Sequence, residues 1–90
     1  MNYLKFDLGK VKEGKRVKVA LSGSIVNVRL LNNSNMYNYE HNHEYKCYGD
    51  LADKALFEMK IPSDDHWFVV VDTKGIKKTE GKIDASVRVE

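Results

Sequence analysis

The densest chemistry in this sequence lies between Asn27 and Asp50, "NVRLLNNSNMYNYEHNHEYKCYGD". The stretch holds six of the seven asparagines, four of the five tyrosines and two of the three histidines. Asn27 and Arg29 stand two residues apart in an apolar run, a spacing that puts both side chains on one face of a strand. Arg29 brings a planar fork suited to carboxylate or phosphate, and Asn27 brings both a donor and an acceptor. Asn33, Asn35 and Tyr39 follow closely, and Tyr48 adds an amphipathic aromatic. Such side chains grouped together are typical of recognition surfaces. The same residues admit a plainer reading. Arg29 then pairs with an acidic neighbour, Asn27 ties down backbone, and the tyrosines bond the segment to the rest of the domain.

Three other groups are weighed against this one. His41, His43 and Cys47 share parity in an extended segment, and imidazole and thiolate both ligate zinc. A closed site needs a fourth ligand, and paired cysteine motifs are absent. No metal or other cofactor is therefore assigned, and Cys47 is expected to be a small buried residue beside loop histidines. His66 with Asp64 and Asp65 suggests an acid–base pair. The aspartates, however, fall in a turn before a strand, where they are favoured for turn chemistry. Nothing resembles a nucleophile elbow or a triad, so no catalytic residue is assigned and the protein is not expected to be an enzyme. His66 is kept, with Tyr48, as the rim of the polar site. The basic runs Lys10, Lys12, Lys15, Arg16, Lys18 and Lys74, Lys77, Lys78, Lys82 lack interleaved aromatics to stack bases. They read as a solvated face, and nucleic acid is not an expected partner.

The elements that must position these residues have period two. Leu4, Phe6 and Leu8 alternate with polar neighbours, as do Val17, Val19 and Leu21. Val26, Val28 and Leu30 then face a core while Asn27 and Arg29 share the other face with Ile25 and Leu31. "ALFEMKI" is a strand stopped by Pro62, and "HWFVVVD" is a continuous apolar run suited to a central strand covered on both sides. Trp67 reads as core. Gly81, Ile83, Ala85, Val87 and Val89 alternate in a last strand. "SGS" at 22–24 predicts a hairpin between the second and third strands. The one helical candidate is a turn or two around Ser34–Glu40, capped by Asn33 or Ser34. The expectation is an all-β, single-domain antiparallel β-sandwich, jelly-roll-like or a small barrel, of seven or eight short strands over residues 1–90.

Ninety residues make one domain. Fifteen basic and thirteen acidic residues leave a net charge of +2, too little to draw a nucleic acid or a membrane by itself. One cysteine excludes an intramolecular disulfide, and no run approaches a membrane span, so a cytoplasmic protein is expected.

The blocks "NVRLLNNSNMYNY", "YKCYGD", "IPSDDHWFVVVD" and "ASVRV" resemble the family numbered 1883 among bacterial domains of unknown function. Asn27, Val28, Arg29, Leu30, Ser34, Asn35 and Tyr39 fall in its first block, and Tyr48 and Gly49 in its second. Pro62, His66 and Trp67 fall in the third, and Ser86 to Val89 close the pattern. Asp50, Cys47 and Asp65 depart from it. The resemblance implies a compact, mostly β domain. Because some members are joined to TIR-type signalling domains, it also implies a sensing or interaction role in bacterial defence; a free-standing copy of such a module also suits a phage-encoded inhibitor that sequesters a defence signal. The function expected is a binding module for a small anionic, nucleotide-like ligand held by Asn27, Arg29, Asn33, Asn35, Tyr39, Tyr48 and His66. The alternative is a module that binds a protein partner or forms a homo-oligomer.

Overall fold

The computed structural model of the chain describes residues 3–22, 25–76 and 83–90. Among them the two-residue period becomes seven strands: β1 (Leu4–Val11), β2 (Arg16–Leu21), β3 (Val26–Asn32), β4 (Tyr48–Ala52), β5 (Leu56–Lys60), β6 (Asp65–Asp72) and β7 (Ala85–Val89). One helix, α1 (Asn33–Glu40), interrupts them between β3 and β4. The strands pair antiparallel in two sheets, ordered β1-β6-β3-β4 and β5-β2-β7. The result is a sandwich and not a closed barrel. The chain changes sheet at every connection except the one that carries α1, which gives a jelly-roll-like course.

Alternation along each strand decides which residues meet between the sheets. Val17, Val19 and Leu21 of β2 face Val26, Val28 and Leu30 of β3 and Trp67, Val69 and Val71 of β6. Each fully buried valine or leucine in such a layer contributes roughly 1.5–3 kcal/mol. Leu4, Phe6 and Leu8 line the rim of this core from β1, and Ile83, Ala85 and Val87 line it from the last strand and its approach.

β6 is covered on both faces, as its unbroken apolar run requires. Its other face, with Phe68 and Val70, forms a second core with Leu31, Met36 and Tyr39 beneath α1. This helix holds the Asn/Tyr segment against the outside of the four-stranded sheet.

Three expectations are corrected. β2 pairs with β5 and β7, and β3 with β4 and β6, so the link across 22–25 crosses between sheets and makes no hairpin. Turn chemistry marks a reversal without saying which strands it joins. Of that link, Gly23 and Ser24 lie outside the described residues, as do Gly81 and the rest of 77–82. The helix cap is Asn32, one residue before the expected Asn33 or Ser34. Its backbone is extended (φ −79°, ψ 178°) and its Oδ1 accepts from the Asn35 N–H at 3.1 Å. Cys47 is exposed and not buried, because 41–47 is an irregular approach to an edge strand, where strand parity does not apply. Among the described residues no helix is long and apolar enough to cross a membrane.

Candidate functional site

Asn27 and Arg29 project from β3 toward Asp72, the directly paired residue of Asn27 at the end of β6. Asp72 is 0% exposed, and it gathers donors from three elements. Arg29 Nε donates to Oδ2 at 2.8 Å and Nη2 to Oδ1 at 3.3 Å. The Tyr39 hydroxyl, brought down by α1, donates to Oδ2 at 2.5 Å. Asn27 Nδ2 donates to Oδ1 at 2.8 Å and to the Lys74 carbonyl at 2.8 Å, while the Lys74 N–H donates back to Oδ1 at 3.2 Å. The Lys74 ammonium lies 4.2 Å from the Tyr39 ring centre, and Tyr45 and Tyr3 meet that ring edge-on.

The electrostatics of this cluster are closed. Burial works to raise the Asp72 pKa, but the hydrogen bonds from Arg29, Tyr39 and Asn27 outweigh it and hold the carboxyl below its ordinary value. Burial and the bond to Asp72 push the Tyr39 phenol up. Burial acts to lower the Arg29 pKa, and its pairing with Asp72 reverses that and raises it. Among the described residues no buried side-chain nitrogen or oxygen lacks a partner. One edge of the Arg29 fork is thus engaged by a carboxylate of the protein itself. The cluster clamps α1 to the sheet.

The other residues expected in the site go elsewhere. Asn35 braces the helix start, donating to Asn32 Oδ1 at 2.8 Å and accepting from the Lys46 N–H at 2.8 Å. Asn33 is exposed in the first helical turn. Tyr48 pairs with Leu30, so it lies on the opposite face of the sheet from Arg29, edge-on to Trp67. His66 shares the outer face with Asp72 but is six residues away along β6, about 20 Å in an extended strand. The seven residues therefore do not line one pocket.

His66 instead lines a cleft of about 490 Å³ with Lys10, Val11, Lys12, Asp64 and Asp65. A β-bulge builds it. The register between β1 and β6 shifts between Asp7 and Gly9, so that Lys10 pairs with His66. Gly9 adopts φ +69°, and its N–H is accepted by Asp7 Oδ1 at 2.8 Å. Asp7 Oδ1 also lies 2.6 Å from His66 Nε2, and the imidazole stacks on Phe68. The Asp7 carboxyl is held below its ordinary value, first by the Gly9 N–H and then by His66.

The two aspartates of the cleft are tied to neighbouring groups of the protein. Asp64 accepts the Glu13 N–H at 2.7 Å, and Asp65 accepts from the His66 N–H and the Asn32 amide. Neither Lys10 nor Lys12 forms a salt bridge among the described residues. Beside these carboxylates the cleft offers a ligand two lysine side chains and an imidazole that is bonded to Asp7. Sequence reasoning set these lysines aside as a solvated face. The usable signal was their spacing around Val11, directly after a glycine that breaks strand register. It also passed over Asp72, a carboxylate closing an apolar run and sharing parity with Phe68 and Val70.

A model of the family described as "Domain of unknown function (DUF1883)" matches residues 1–89. No curated protein and no solved structure matches the chain.

Proposed function

The chain belongs to the DUF1883 family, and from that starting point we propose that it is a non-catalytic binding module for a small anionic, phosphate-bearing ligand. The ligand sits in the cleft between Lys10, Lys12 and His66. The observation that carries this reading is a cavity whose two lysines form no salt bridge among the described residues while its aspartates are bonded to the protein. Two lysines and a histidine lining one cleft suit a phosphoryl group, which takes several charge-assisted bonds at once. The bacterial defence setting implied by the resemblance fits such a ligand, because sensing and sequestration both need a cytoplasmic binder that leaves the signal intact.

Thermal unfolding with inorganic pyrophosphate at low ionic strength tests the reading. A ligand at about a hundred times its Kd stabilises the folded state by about 2.7 kcal/mol. That rise is expected for the wild type and lost in Lys10→Ala/Lys12→Ala. Equal stabilisation of both proteins, or none of either, overturns it.

A protein-contact reading draws on a different observation. Tyr37 and Tyr48 are each 55% exposed and Leu51 53%, large apolar side chains displayed by a rigid scaffold. The Asp50 carboxylate takes the Leu51 N–H at 2.7 Å, which blocks part of the β4 edge, so contact would run through side chains. Sedimentation velocity over a wide concentration range, with Tyr48→Ser/Leu51→Ser as control, tests whether the partner is a second copy.

A further inference from the structure

We propose that His41 and His43 form an open, bidentate site for a borderline divalent transition metal such as Zn2+, Ni2+ or Cu2+. Helix α1 ends at Glu40, and His41 closes it. The His41 N–H reaches the Tyr37 and Asn38 carbonyls, and the His43 N–H returns to the Asn38 carbonyl at 2.9 Å. Between them Asn42 adopts φ +58°, a left-handed turn that asparagine tolerates. That turn brings the two rings together, with centres 6.2 Å apart and planes at 39°. The backbone of both ligands is thus pinned to the helix end before any metal arrives.

The His41 ring is held in the tautomer that a ligand needs. Its Nδ1 lies 2.7 Å from the Tyr37 carbonyl oxygen, which has no proton to give, so Nδ1 carries the hydrogen. The lone pair is left on Nε2. Fixing one ring nitrogen by a backbone carbonyl is the usual support behind a metal-bound histidine. Tyr37 stacks on this ring at 4.0 Å and 23°, which further limits its rotation. The His43 ring has no hydrogen bond among the described residues and is free to adjust.

Distances agree with a shared ion. A ring nitrogen about 1.1 Å from its centre and a metal–nitrogen bond of about 2.0–2.1 Å put the metal roughly 3.2 Å from each centre. Two ligating rings then sit at most roughly 6.4 Å apart, and roughly 5.2 Å apart at a tetrahedral angle. The observed 6.2 Å falls inside that limit but above the tetrahedral value, so the site requires the His43 ring to move toward His41 on binding. The helix C-terminus supplies a partial negative charge. Both histidines are exposed, so water or a donor from another molecule completes the coordination. Cys47 does not join them, since among the described residues no three potential ligands cluster.

Isothermal titration with ZnCl2 and with NiCl2 in a non-chelating buffer tests the site, alongside long-range 1H–15N spectra of the histidine rings. The wild type and Cys47→Ser should each bind one equivalent, with shifts at His41 and His43 and none at His66. His41→Ala and His43→Ala should bind roughly ten- to a hundredfold more weakly, as expected when a chelate loses one donor. Absence of saturable binding, binding undiminished in either histidine variant, or binding lost in Cys47→Ser overturns the proposal.

Discussion

Asp72→Ala removes the acceptor for five hydrogen bonds, from Asn27 Nδ2, Arg29 Nε and Nη2, the Tyr39 hydroxyl and the Lys74 N–H. The Arg29 side chain is only 19% exposed, so it is left partly buried without its counter-charge. Breaking a buried pair in this way costs about 3–5 kcal/mol. A single domain of this size is stabilised by about 5–10 kcal/mol, so the variant should lose at least about a third of its stability. With a urea slope of about 1–1.5 kcal/mol/M, the midpoint should fall by about 2–5 M. Urea unfolding followed by Trp67 emission reads this directly, because the indole is 3% exposed and tied by Nε1–H to the Ser63 carbonyl. Arg29→Met/Asp72→Leu removes both charges and should recover most of the loss. A midpoint shift equivalent to under about 1 kcal/mol would refute the clamp. So would a double variant as unstable as the two single variants added together.

The same cluster makes stability fall at both ends of the pH scale. The folded-state pKa of Asp72 is lowered, so its contribution is present above about pH 4 and lost as pH falls through the folded value. The folded-state pKa of Tyr39 is raised, so its contribution is present below about pH 10 and lost as pH rises further. Melting temperature against pH should therefore show a plateau, with Tyr39→Phe flattening the alkaline limb and weakening the acid limb without abolishing it, since Arg29 and Asn27 still hold the Asp72 carboxyl down. Gly49→Ala should cost about 3 kcal/mol or more, since Gly49 has φ +111° and its new Cβ would stand 2.1 Å from the Val28 carbonyl oxygen. Gly75→Ala at φ +77° meets nothing within 4 Å and should cost only about 1–2 kcal/mol by the same melts. Asn32→Ala removes the helix cap and should cost about 1 kcal/mol, against no more than about 0.5 kcal/mol for Ser34→Ala.

The strands were legible because burial writes itself into alternation. Val17, Val19 and Leu21 and the run from Trp67 to Val71 could be assigned from residue type alone, and each lies where the pattern put it. Pairing was not legible, because nothing in "SGS" states that β2 and β3 belong to different sheets. The candidate site was legible only in part. The shared face of Asn27 and Arg29 followed from spacing, whereas their common acceptor, Asp72, lies more than forty residues away and meets them only through the β3–β6 register. The cleft depends on a bulge that moves Lys10 onto the face of His66, and strict alternation cannot register such a shift.

The most direct test of the binding account is a 1H–15N correlation titration of the labelled protein with inorganic pyrophosphate at low salt. Saturable shifts are predicted around Lys10 to Glu13 and Asp64 to His66, with Asn27, Arg29 and Tyr39 unmoved. Saturable shifts centred on Arg29 and Tyr39, or no saturable shifts at all, would contradict it.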